Sequence, residues 1–207
     1  PLRRAPRLMP LISAIGASLV LQNAVFLWRD NQLPFPALVS VRPHALGPVS
    51  VTGLQVFIIA TSVALMGLLT LFIQKTRLGK ALRAVSQDAP TAELMGIPVD
   101  RLIALTFFIG GALGAAAGVL NGLYYGSVKY NMGFVPGVKA FTAAVLGGIG
   151  NVPGAMLGGF LLGLFEALGV AFLPEPAWKD VFAFGLLIGV LIFRPSGLLG
   201  EHVTEKV

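Results

Sequence analysis

Two stretches of this chain run for 20 and 22 residues without a formal charge: Leu54–Ile73 and Leu102–Leu123. Wound as an α-helix at 1.5 Å per residue, the longer one extends about 33 Å, the thickness of a bilayer's hydrocarbon core. A soluble helical protein of 207 residues would have to hide several such helices on all sides at once. Charged residues make up 12% of the chain, half of the roughly 25% usual in soluble domains. The expected class is therefore all-α, a polytopic bundle of transmembrane helices.

Six apolar segments can be proposed along the chain: Leu8–Leu27, Leu54–Ile73, Leu102–Leu123, Val138–Gly148, Gly154–Leu173 and Val181–Phe193. The fourth and sixth are 11 and 13 residues long, short for a crossing, so they either begin in interfacial residues or are broken or re-entrant. "GGIGNVPG" at 147–154 marks a sharp break between the fourth and fifth. Basic residues orient the bundle. Arg3, Arg4 and Arg7 precede the first run, and Lys75, Arg77, Lys80, Arg83 and Arg101 occupy or flank the loop 74–101. The loops assigned to the opposite side carry fewer: Arg29 and Arg42 in one, Lys129 in another and Lys179 in a third, with Lys139 at a span edge. Six crossings then put both ends and the loop 74–101 in the cytoplasm and the Pro-rich loop 28–53 outside, as irregular structure.

The formal charge of +6 is accounted for by these topology markers, and no nucleic-acid partner is expected. There are no cysteines, and His44 and His202 lie far apart in polar or terminal stretches. That excludes thiolate chemistry and a Cys-based metal site, and it leaves neither histidine a convincing metal ligand. A membrane hydrolase would need a Ser/His or paired-acid constellation that two remote histidines do not supply.

Glycine recurs at every fourth position in Gly110, Gly114, Gly118, Gly122 and Gly126. This spacing lays them on one helix face, where a second backbone can approach closely; a packing seam is expected there, compatible with a flexible moving part. Gly154, Gly158, Gly159 and Gly163 give the fifth run a similar narrow face. One acid, Glu166, sits inside that run, and Lys139, near the outer end of the fourth, is its candidate partner. An acid at membrane depth is functional by default. Its readings here are helix locking through an ion pair, contact with a solute or gate, and solvation at the interface. Gln22, Asn23 and Asn121 lie near the outer ends of their runs, either bonding between helices or lining a solute path.

The loop "GKALRAVSQDAPTAELMGIPVDRL" at 79–102 is too long and too patterned for a plain turn. Leu78, Ala81, Leu82, Val85 and Ala89 form a stripe at helical spacing, with Lys80, Arg83 and Gln87 largely off it. Asp88 is placed to cap a second short helix, about Pro90–Met95, which Gly96 ends and Pro98 forbids to continue. Two short amphipathic helices either lie on the membrane surface or form a rigid knob for a cytoplasmic partner.

That loop resembles the cytoplasmic coupling loop of ABC-transporter permeases. "LISAIGASLVLQN" (11–23), "GKALRAVSQDAPTAELMGIPVDRLIALTFFIGG" (79–111), "KAFTAAVLGGIGNVPGAMLGG" (139–159) and "RPSGLLG" (194–200) together resemble the LivH-type permease of high-affinity branched-chain amino acid importers, through nearly the whole chain. The general coupling motif has Glu-Ala-Ala before a Gly four residues later; the matching positions here are Pro90, Thr91 and Ala92, then Gly96. The resemblance implies one permease domain over 1–207, missing the first membrane helices of longer relatives, in a bacterial inner membrane. Residues 74–101 would be its coupling loop, docking Ala89, Pro90, Thr91, Ala92, Glu93 and Gly96 on an ATPase, with Arg83 and Glu93 as rim charges. The implied partners are membrane lipid, a second related permease subunit, two ATPase subunits and a periplasmic solute-binding protein. ATP and Mg2+ would belong to the ATPases, since this chain has no GxxxxGK[ST] segment. Branched-chain amino acids are the implied cargo; urea, another small amide or amino acid, and an ATP-independent channel are the competing readings.

Overall fold

The computed structural model describes residues 9–29, 31–36, 43–46, 49–148, 150–172 and 197–200, with helical positions at 181, 185, 188–190 and 192. Seven helices are present among the described residues: α1 (Met9–Trp28), α2 (Gly53–Lys75), α3 (Arg77–Gln87), α4 (Ala89–Leu94), α5 (Val99–Tyr125), α6 (Phe134–Gly147) and α7 (Val152–Phe172). Four short strands accompany them: β1 (Leu33–Pro34), β2 (Pro43–Leu46), β3 (Val49–Thr52) and β4 (Ser127–Val128). By length and composition α2, α5 and α7 can each cross a membrane, while the apolar part of α1 and all of α6 are shorter. The sixth apolar run, Val181–Phe193, lies largely outside the described residues.

The chain divides into two compact units. One comprises residues 1–55 and 117–134. Here β1 pairs antiparallel with β4, Leu33 opposite Val128, and the Gln32 amide donates to Ser127 Oγ at 2.6 Å. Gly126, at φ +65°, ends α5 in the left-handed region, and its carbonyl accepts from Phe35 N–H at 2.9 Å. The rings of Phe26 and Tyr130 lie 5.0 Å apart, tying α1 to the segment after β4. Within the loop 28–53, expected to be irregular, the described residues include short paired strands. β2 and β3 form an antiparallel hairpin with Leu46 opposite Val49. The alternation Val49, Val51 supplies the β-branched residues such a ribbon favours, a signal that the prolines obscured. Directly after it, Thr52 N–H donates to the Gln55 side chain at 3.0 Å, half of a capping box that starts α2.

The other unit comprises residues 56–116 and 135–207. It holds α3, α4, α6 and α7, most of α2 and the first two thirds of α5. Its buried apolar residues gather in two places: Ala92, Val99 and Leu102 around the α3–α4 loop, and Ala143, Leu146 and Leu162 between α6 and α7.

Candidate functional site

The loop between α2 and α5 folds on its own side chains. Thr76 Oγ1 donates to Phe72 O at 2.6 Å and accepts from Gly79 N–H at 2.9 Å, so one hydroxyl closes α2 and caps α3. A Cβ on Gly79 would stand 2.3 Å from Phe72 O, which makes glycine the residue that lets α3 fold back over the end of α2. Asp88 caps α4: its Oδ1 accepts from Thr91 N–H at 3.1 Å and its Oδ2 from the Thr91 hydroxyl. The hydroxyl bond first, and the backbone bond second, hold the Asp88 carboxyl below its ordinary range.

α4 ends in a Schellman motif. Gly96 N–H donates to Glu93 O at 3.0 Å and Ile97 N–H to Ala92 O at 3.1 Å, with Gly96 at φ +81°. Pro98 then offers its carbonyl to Arg101 and Leu102 as the first acceptor of α5. The two-helix pattern read from the sequence is thus present, with α4 one residue earlier than expected.

Burial separates the loop's residues. Ala92 is only 3% exposed, so its small side chain is covered within this chain, as Val99 and Leu102 are. Ala89 is half-buried, whereas Arg83, Pro90, Thr91, Glu93 and Gly96 are exposed. The largest apolar groups offered outward are Leu94, 89% exposed, and Met95, 79% exposed. Sequence reasoning did not single these out, because helical spacing shows which residues share a face and not which face is covered.

The glycine-mediated contact lies between α6 and α7. A Cβ on Gly158 would come within 2.1 Å of Ala143 O, and one on Gly147 within 1.9 Å of Gly154 O. Gly159 is looser, with Ala143 Cβ at 3.7 Å. Among the described residues, nothing lies within 4 Å of a Cβ built on Gly110, Gly114, Gly118 or Gly163. The expected seam on α5 is therefore unfilled by the described residues at Gly110, Gly114 and Gly118; Gly122, in the same register, does pack, against Val128 and Phe35. Periodicity had found a narrow face without being able to supply its partner.

Asn151 turns the chain between α6 and α7. Its Oδ1 accepts from Gly154 N–H at 2.9 Å, capping α7, while its Nδ2 donates to Leu199 O at 3.1 Å. Leu198 and Leu199 N–H groups donate to the carbonyls of Leu146 and Gly147, at 2.9 and 3.0 Å. Residues 197–200 thereby satisfy the end of α6, whose last carbonyls have no partner within their own helix. Gly148 and Gly197, at φ +108° and +78°, cross so closely that a Cβ on either would strike backbone.

Toward the other end of this hairpin, Lys139 Nζ lies 2.8 Å from Glu166 Oε1. The pairing expected from the sequence is present. Glu166 is buried, with Oε1 sealed from solvent, and Lys139 is partly covered. Among the described residues, the amide donors of Gln22 and Asn23 bond within α1: Gln22 Nε2 donates to Ser18 Oγ at 3.3 Å and Asn23 Nδ2 to Leu19 O at 2.8 Å. Gln22 does line an open groove of about 470 Å³ with Ser18, Leu21 and Tyr130. Asn121 is half-buried in α5, in the same unit but not among the groove's lining residues. Among the described residues, no three His, Cys, Asp or Glu side chains gather where a metal could bind.

Residues 3–191 match the family of permease components of branched-chain amino acid transport systems. The chain belongs to this family. It is 50% identical over its whole length to the high-affinity branched-chain amino acid transport system permease protein BraD of Pseudomonas aeruginosa, covering 69% of that protein. It is 48% identical to the corresponding protein LivH of Escherichia coli, again over its whole length and 68% of the relative's. The autoinducer 2 import system permease protein LsrC of an Enterobacter species is 30% identical over 96% of this chain and 64% of its own. No solved structure matches the chain. A branched-chain amino acid permease component is a multi-pass protein of the inner membrane, and α2, α5 and α7 are helices suited to such a place. Permeases of this family conduct and do not catalyse; ATP and its Mg2+ belong to separate subunits.

Proposed function

We propose that this chain is a membrane permease subunit of an ATP-driven, binding-protein-dependent importer of branched-chain amino acids, and that residues 74–101 couple it to the ATPase. Identity of about one half, extending over the whole chain, to two permeases named for that cargo carries the first part. The second part is supported by a loop that is packed and capped at every joint yet leaves Leu94 and Met95 outside. An amphipathic segment resting on lipid needs no interior of its own, whereas a knob that transmits force does. Ala92, Val99 and Leu102 provide that interior. Thr76 and Gly79 fix the loop to α2, and Pro98 fixes it to α5, so a displacement of α4 is carried into two long helices.

In this reading Leu94 and Met95 enter an apolar recess of the ATPase, while Arg83, Pro90, Thr91 and Glu93 lie around it. Rim charges of this kind steer the approach more than they add affinity. A second permease subunit, a second ATPase and a periplasmic binding protein complete the assembly, and lipid covers the outer faces of the bundle.

The deciding experiment reconstitutes the chain with its permease, ATPase and binding-protein partners. Leucine, isoleucine and valine uptake should require ATP and the ATPase subunits. Flux that persists without them would establish a channel. A screen of the binding protein against amino acids, urea and autoinducer 2 separates the cargoes found among such permeases.

A further inference from the structure

We propose that Lys139 and Glu166 receive the two charged ends of a zwitterionic solute at one mouth of the permease, an inference that rests on the amino acid cargo proposed above. The pair stands on the α6–α7 hairpin with Nζ and Oε1 2.8 Å apart and the side chains 17% and 10% exposed. Glu166 lies six residues before the end of α7, about 9 Å along its axis. The Lys139 side chain leans back toward the start of α6, as helical side chains do, and meets it there. The pair is thus remote from the Asn151 turn, near the open end of the hairpin.

The geometry sets it apart from a packing device. α6 and α7 are already in backbone contact at Ala143–Gly158 and Gly147–Gly154, and residues 197–200 clasp the turn. An ion pair adds little to a hairpin so closed, and taking two charges out of water carries a desolvation cost that an apolar pair of similar volume avoids. Nor is the pair a sliding latch, since the same backbone contacts prevent α6 from moving along α7 without parting from it. The remaining reading gives both the cost and the residual exposure a use.

An α-amino acid brings one carboxylate and one ammonium. Its carboxylate meets Lys139 and its ammonium meets Glu166, and on departure the two side chains pair again. The net charge of the site stays at zero throughout, so no isolated charge is left in apolar surroundings. The charge-assisted hydrogen bonds gained are strengthened by the same surroundings.

The test uses the whole reconstituted complex with two variants, Lys139→Met/Glu166→Gln and the exchanged pair Lys139→Glu/Glu166→Lys. Assembly and thermal melting read the packing role, and leucine uptake at saturating binding protein reads the solute role. Both variants should assemble and melt close to the parent, with uptake lower by about tenfold or more, the size of one lost charge-assisted hydrogen bond. The exchanged pair is the sharper arm, because it restores the ion pair and its stability but presents the charges in reverse order. Parent-like uptake in either variant overturns the proposal. Failure of both to assemble also overturns it, in favour of a structural brace. A parent complex that is assembled and ATP-driven but imports no amino acid refutes the cargo first, and the proposal with it.

Discussion

Replacing Gly158 with alanine sets a methyl carbon 2.1 Å from Ala143 O and 2.9 Å from Gly147 N. Non-bonded carbon atoms rest at about 3.5–4.0 Å from one another, and a carbon–oxygen contact only slightly closer, so α6 and α7 must part by about 1 Å. Both obstructing atoms are backbone, so no rotamer change relieves the clash. Overpacking of this kind costs about 1–3 kcal/mol, and the rigidity of two helices places this site toward the upper end. Alanine also gains about 1 kcal/mol over glycine in a helix, which offsets part of the loss. Gly163 on the same helix is the matched control: a Cβ there meets nothing within 4 Å among the described residues, so Gly163→Ala keeps the gain without the clash. The difference between the two variants is then the clash alone, about 1–3 kcal/mol, and at about 2–4 °C per kcal/mol it separates their melting temperatures by several degrees. Thermal melts of the purified complex, taken side by side in one detergent, read it directly. Equal melting temperatures would refute the α6–α7 contact as the close-packed seam of the bundle.

Leu94→Glu and Met95→Glu should leave membrane insertion and loop folding intact and weaken ATPase binding by about tenfold or more, as truncating an apolar anchor does; co-purification yield is the measurement. Gly96→Val should cost about 1–2 kcal/mol, because a β-branched residue at φ +81° opposes the left-handed geometry; limited proteolysis between α3 and α5 should rise accordingly. Because the Asp88 carboxyl is held below its ordinary range, its capping contribution is present above that range and fades as pH falls through the lowered value. Loop protection should therefore drop in strong acid, and Asp88→Asn should lack that dependence. Cysteines at Ser86 and Ser50 should label from opposite sides of the membrane.

The long spans were legible because an apolar run of about 20 residues has few ways to fold, and α2, α5 and α7 fall within a few residues of the expected limits. The loop was legible for a different reason: Asp88, Pro90, Gly96 and Pro98 act locally, through caps and permitted φ values. Partner choice was not legible. Gly110, Gly114 and Gly118 share a face on α5 that meets nothing among the described residues, whereas Gly154 and Gly158 of the narrow face on α7 make the backbone-to-backbone contact, against α6. Gln22 and Asn23 showed polarity at the right place, but each bonds one turn back in its own helix. Leu94 and Met95 passed as ordinary apolar residues until burial of Ala92 showed which side of α4 was turned outward.

"RPSGLLG" was visible only as part of a resemblance, and its physical role bears on the path of the chain. α6 has 14 residues, about 21 Å of helix against a hydrocarbon core of about 30 Å. A helix that stops short inside a membrane leaves carbonyls that lipid cannot satisfy. Here Leu198 and Leu199 satisfy two of them, and Asn151 bonds back to the same segment. The chain leaves this spot through α7 and is back at it by Gly197, where a Cβ would strike the Gly148 backbone. The clasp thus stands where solvent would otherwise bond the end of α6, and it ties residues 146–151 to residues 198–199.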